Sequence, residues 1–160
     1  MLAEWTMITM VNNQNNSTVQ ITLSNRIGYE KIAMACSASF AEMFGFSNDR
    51  IEDLKTIVGE ASTNAMEHGN QGRLDARVVV SMSFKDDTIC VSVADEGPGI
   101  GKQPPPPDIA RIIENNEAIC GFGLFLIKQL ADKVDFTKKP DNGHVVHMAL
   151  NMKAQADHAE

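Results

Sequence analysis

Glu60-Ala61-Ser62-Thr63-Asn64-Ala65-Met66-Glu67-His68 sets Glu60, Asn64 and His68 four residues apart. At about 100° per helical residue, that spacing stacks them in a stripe along one helix. Leu54, Ile57, Val58, Ala61 and Ala65 form the apolar face of the same helix, and the polar stripe borders it. A solvated helix keeps its acids opposite the core. Here a carboxylate and an amide are held at its edge. Asn64 offers a neutral oxygen to a hard ion such as Mg²⁺, and Glu60, one turn earlier, can act as a general base. A zinc helix needs histidines at i and i+4, and only His68 is present. The plain alternative is a helix with incidental polar residues on its flank.

Working outward, Ser47-Asn48-Asp49 caps this helix, which is expected to run to about Gly69. Upstream, Ile27 to Phe46 has helical spacing, with Ser24 or Asn25 as its cap and Gly45 at its end. Val19, Ile21 and Leu23 alternate as a strand, and Trp5 to Val11 reads as a short strand or a tail before the asparagine-rich run Asn12–Asn16. Downstream, Ala76 to Phe84 and Ile89 to Val93 are strands joined by a turn at Asp86-Asp87. A short helix is expected over Asp108–Glu114, an apolar helix over Leu124–Ala131, and a hairpin around Asp141-Asn142-Gly143.

Two more polar islands lie beyond the helix. Asp95-Glu96-Gly97-Pro98-Gly99 ends a strand with a carboxylate that can accept from an exocyclic amine, and its glycines let the backbone pass close to a ligand. Gly121-Phe122-Gly123-Leu124 opens the apolar helix, where free N–H groups and the helix dipole suit an anion. It is neither a Walker A loop nor a dinucleotide fingerprint. The plain alternatives are an ordinary Asp-Glu-Gly turn and close packing of glycines. His144 and His147 read as surface residues of a terminal strand, and Pro104–Pro107 as a stiff loop segment.

The chain has 160 residues, enough for one domain with a full core. A net charge of −7 argues against direct nucleic-acid binding and against an anionic membrane surface. No apolar run approaches a membrane span and no signal peptide is visible. Cys36, Cys90 and Cys120 are scattered and odd in number, as expected of reduced thiols in a cytoplasmic protein.

In order and spacing, the islands resemble the boxes of the GHKL ATP-binding superfamily, which includes histidine-kinase catalytic domains, type II topoisomerases and the MutL repair proteins. Glu60-x-x-x-Asn64 is similar to its N box, Asp95-x-Gly97-x-Gly99 to its D-x-G-x-G box, and Gly121-x-Gly123-Leu124 to its last glycine box. Ile51 to His68 and Gly123 to Asp132 more closely resemble the anti-sigma factor serine kinases of the RsbW and SpoIIAB type. The resemblance covers about Thr18 to Met152. It implies an α+β, two-layer Bergerat sandwich, with helices on one face of a mixed, mainly antiparallel sheet. Residues 17–153 would form the kinase domain, between an extension at 1–16 and a polar tail at 154–160.

The resemblance also implies ATP and Mg²⁺ as cofactors, with Asn64 as the metal ligand and Glu60 as the catalytic base on a protein hydroxyl. Asp95 would accept from the adenine amine, and Gly97 and Gly99 would line the base and sugar. Gly121, Gly123 and Leu124 would approach the phosphates, and residues from about Ile100 to Cys120 would form a lid carrying Arg111. Partners would be a STAS-type anti-sigma factor antagonist and a sigma factor, with a homodimer an option. Many relatives carry a basic residue at the last glycines, where this chain has Cys120 and Phe122. One competing function is a nucleotide-regulated binding module with little catalysis. The other is a histidine-kinase ATPase domain, disfavoured by the short segment before Thr18.

Overall fold

The computed structural model describes residues 8–13, 16–97 and 122–153. Six strands form one sheet: β1 (Ile8–Asn13), β2 (Asn16–Ser24), β3 (Arg77–Lys85), β4 (Thr88–Ala94), β5 (Lys133–Lys138) and β6 (His144–Asn151). Their order is β1-β2-β3-β4-β6-β5, and each of these pairings is antiparallel. The sheet thus stands at the antiparallel limit of the expected type. The helices are α1 (Glu30–Met43), α2 (Asn48–Asn64) and α3 (Phe122–Leu130).

Strand alternation builds the two layers. Ile21 pairs with Val80, Val80 with Val93 and Val93 with Val146, so β-branched side chains make a continuous row across β2, β3, β4 and β6. Leu23, Val78, Met82, Ile89, Val91, Met148 and Leu150 extend that face, all nearly or fully buried. Phe40 and Ala41 of α1, Leu54, Ile57, Val58 and Ala61 of α2, and Ile127 of α3 cover it. The opposite face carries Ser81, Ser83, Ser92, Cys90 and His147, none of them buried.

The chain reverses where its residues permit it. Asp86 and Asp87 take φ of 51° and 58° in the two-residue turn between β3 and β4, a conformation that Asp tolerates. Ile8–Asn13 is a strand, and the asparagine run contributes to both sides of its hairpin with β2. Ser47 caps α2 as expected, its hydroxyl accepting from the Arg50 N–H at 3.4 Å. The expected cap of α1 is wrong. Ser24 ends β2, Asn25 turns into a buried network, and α1 starts after Tyr29 without a side-chain cap. Glu30 instead takes the N–H of Gly28 at 2.6 Å.

Arg50 fastens the start of α2 to the far end of the sheet. It is 7% exposed and donates to Asp53 at 2.9 Å, to Asp132 at 2.5 Å and to the Asn151 carbonyl at 3.0 Å. Arg50→Ala would leave the Asp132 carboxylate without its counter-charge. The expected cost is about 3 kcal/mol in urea denaturation at neutral pH, and a cost under about 1 kcal/mol would place the pair among weak surface bridges.

Candidate functional site

The first and third islands meet. Glu60 and Asn64 are half-buried near the C-terminal end of α2, which packs against α3. Gly123 lies in the first turn of α3, one residue inside the helix rather than before it. A Cβ on Gly123 would run into Glu60 Oε2 and would stand 3.6 Å from Asn64 Nδ2. Only glycine lets the positive end of this helix approach the carboxylate and the amide so closely. Leu124 is buried beside it. Gly99, Arg111 and Gly121, with the lid segment and its expected short helix, lie outside the described residues.

His68 leaves the stripe. The helix does not run evenly to Gly69 but changes at Ala65 into a single π-helical turn, Ala65–Gly69. The Asn70 N–H donates to the Ala65 carbonyl, five residues back, at 2.7 Å. A wider turn rotates the residues after it, so His68 is exposed while Gly69 and Asn70 turn inward.

That inward turn brings the second island in. Asp95 extends the ladder beyond β4, its N–H donating to the His144 carbonyl at 2.9 Å. Its Oδ1 accepts from the Gly97 N–H at 3.0 Å and the His144 N–H at 3.1 Å. These bonds hold a 7%-exposed carboxylate in one orientation, and Oδ2 accepts no hydrogen bond from the described residues. Glycines surround it. A Cβ on Gly69 would overlap the Asp95 carboxylate, one on Gly97 would overlap the Gly69 carbonyl, and one on Gly143 would overlap the Asp95 carbonyl. Gly97 is legible from its box, whereas nothing in the sequence ties Gly69 or Gly143 to the site.

Asn70 fixes the same loop from beneath. It is fully buried, accepts from the Glu96 N–H at 2.7 Å, and donates to the Arg77 carbonyl at 2.9 Å and to Asn25 at 3.1 Å. Asn25 in turn donates to the Arg73 carbonyl at 2.9 Å, and Glu96 accepts from the Arg77 N–H at 3.0 Å. The only sequence signal for Asn70 is its place directly after His68-Gly69. Asn70→Ala would orphan several buried groups. About 3 kcal/mol of stability should be lost, together with ordered binding at Asp95, as read by denaturation and by nucleotide titration. A variant with wild-type stability would contradict the network.

Between α2, α3 and the end of the sheet lies a cavity of about 120 Å³, lined by Asn64, Gly69, Asp95, Leu124, Phe136 and His144 among others. Its walls are mainly apolar, with a few polar side chains among them, as is usual for a small-ligand site. His144, expected at the surface, is 30% exposed and also lines this cavity. A larger concavity, about 510 Å³, lies on the bare sheet face between Ser81, Ser92 and His147. No residue of the three islands lines it. Among the described residues no cluster of three His, Cys, Asp or Glu could hold a metal. The Asn64 side chain carries a neutral amide oxygen, a donor type that hard ions accept.

The profile of the family described as "Histidine kinase-like ATPase domain" matches residues 23–150. The chain belongs to the histidine kinase-like ATPase family. Within this family it is 27% identical over 131 residues to an anti-sigma F factor of Bacillus velezensis, covering 77% of this chain and 84% of that protein. It is 28% identical over 146 residues to the serine-protein kinase RsbW of Listeria innocua, covering 89% and 93%. A crystal structure of the RsbU and RsbW domains of a Mycobacterium tuberculosis protein superposes with a TM-score of 0.61 at 18% identity. That alignment covers 84% of this chain and 32% of the other, and it supports the α+β ATPase fold. Among the described residues no helix is long and apolar enough to cross a membrane.

Proposed function

We propose that this histidine kinase-like ATPase is an ATP-dependent protein serine/threonine kinase acting as an anti-sigma factor in a partner switch. The observation that carries the reading is the seat of Gly123 against Glu60 and Asn64. It brings a carboxylate, an amide and a helix N-terminus together, and Asn64 and Leu124 of that group line the same cavity as Asp95. The named relatives, an anti-sigma F factor and a serine-protein kinase, support the same assignment.

In this reading Asp95 accepts from the adenine amine, with Gly97 and Gly99 along the base and sugar. Gly121, Gly123 and Leu124 approach the phosphates, and Arg111 contacts phosphate or partner. Glu60 takes the proton from the attacking hydroxyl of the protein substrate. Asn64 holds Mg²⁺, whose charge, when bound, offsets that of the transferring phosphoryl group. The kinase domain is residues 17–153, with 1–16 and 154–160 as extensions, and β1 of the first extension pairs onto the sheet edge. The substrate is a STAS-type antagonist, the sequestered partner is a sigma factor, and the compartment is the cytoplasm.

The test is transfer of γ-phosphate from Mg-ATP to a purified STAS-type antagonist from the same organism. Transfer to its serine or threonine supports the reading. ATP binding with no transfer in the presence of that antagonist selects a nucleotide-regulated binding module instead. The non-basic Phe122 between the last glycines favours that alternative, because it leaves less positive charge at the phosphates. Asn64→Ala should weaken binding of Mg-ATP about tenfold while sparing binding of metal-free nucleotide. Equal weakening with and without Mg²⁺ would remove Asn64 as a metal ligand.

A further inference from the structure

We propose that Arg50 is a positioning residue of the nucleotide site, holding α3 in the one register along α2 that sets its N-terminus at Glu60 and Asn64. The inference rests on reading that N-terminus as the phosphate approach. The two helices run antiparallel and meet through polar or charged groups at both ends. At one end Gly123, in the first turn of α3, closes on Glu60 and Asn64 near the end of α2. At the other, Asp132, two residues after α3, accepts from the guanidinium of Arg50 at the start of α2, at 2.5 Å. Asp132 is itself a fixed point. Its N–H donates to the Ala149 carbonyl at 2.9 Å, and its Oδ2 accepts from the Asn151 N–H at 2.7 Å. Arg50 also donates to the Asn151 carbonyl at 3.0 Å, so α2 and the junction of α3 with β5 hang from the same point of β6.

The spacing of the two contacts matches. Arg50 to Glu60 is a rise of about 15 Å along α2, and Gly123 to Asp132 is about 13 Å along a helical path. Sliding one helix past the other by one residue would move the α3 N-terminus by about 1.5 Å and pull one end contact apart. Little else selects that register. Between the two ends lie Ala61, Ala65, Leu124 and Ile127, apolar side chains that leave the cavity open among them, and apolar contact is non-directional. The Arg50 and Asp132 side chains are both largely buried. A buried ion pair adds little net stability over an apolar replacement, but it accepts a narrow geometry, and fixing register is its best-attested use.

The experiment measures the affinity of wild type, Asp132→Asn, Arg50→Leu and Arg50→Lys for ADP and for adenosine, with Mg²⁺, well below each melting temperature. A displaced α3 N-terminus acts on phosphates and leaves Asp95 where it is, so the two ligands should respond differently. Asp132→Asn, which keeps the shape of the carboxylate and drops its charge, should bind ADP about tenfold more weakly, the order of an oriented helix terminus lost from an anion. Arg50→Leu should do the same, and adenosine affinity should not change in either. Arg50→Lys keeps the cation and should recover part of the ADP affinity. Wild-type ADP affinity in folded Asp132→Asn overturns the proposal, and that isosteric variant carries the test where Arg50→Leu fails to fold. An equal loss for both ligands also overturns it, because that is what a merely structural bond would give. If wild type binds ADP no more tightly than adenosine, the phosphate reading of α3 falls as well. If wild type prefers ADP and the variants keep that preference in full, only the role of Arg50 falls.

Discussion

Glu60→Gln should lower phosphotransfer by about 10²- to 10⁴-fold, the usual contribution of a general base, while leaving ATP affinity within about threefold, less than one neutral hydrogen bond is worth. The amide keeps the length and shape of the carboxylate, so the packing of α3 through Gly123 is preserved. What is lost is the capacity to take a proton. Single-turnover transfer from labelled ATP measures the first quantity and calorimetric titration the second. Transfer at the wild-type rate would remove Glu60 from the chemistry. A parallel loss of affinity and rate would assign it to binding.

Gly97→Ala should lower nucleotide affinity by roughly 100-fold, because the added methyl group falls on the Gly69 carbonyl. That neighbour is backbone and cannot rotate aside. The turn after α2 and the loop after β4 must part, at roughly 3 kcal/mol, and Asp95 Oδ1 loses the Gly97 N–H that orients it. Titration with ATP reads the affinity, and thermal melting reports whether the fold tolerates the separation. Wild-type affinity in a folded Gly97→Ala protein would show that the two backbones do not meet as described.

The parts of the site that are legible in the sequence are those fixed by local periodicity. Glu60 and Asn64 share a helix edge because α-helical geometry repeats every few residues. Asp95 is legible because β-branched alternation runs up to it and glycine stops it. His68 departs because the π-turn depends on where Asn70 is bonded, and those partners, Glu96 and Arg77, come from other elements. His144 is 49 residues from Asp95, and only the pairing of β4 with β6 makes them neighbours. Asn25 has the composition of a helix cap, but its side chain satisfies carbonyls of the π-turn region instead. Propensity cannot choose between these partners, because the choice is made by burial.

The glycines around Asp95 set how this protein can tolerate genetic drift. Any single-base change that converts a glycine codon to another amino acid introduces a Cβ, and at Gly69, Gly97 and Gly143 that carbon meets Asp95 or backbone at once. No mild allele exists at these codons. Across the sheet, Ser81, Ser83 and Ser92 are half-buried along the open concavity and can be exchanged at little cost. A saturation library screened for nucleotide binding should therefore recover a sharply two-sided molecule, with one face silent and the other nearly intolerant of change.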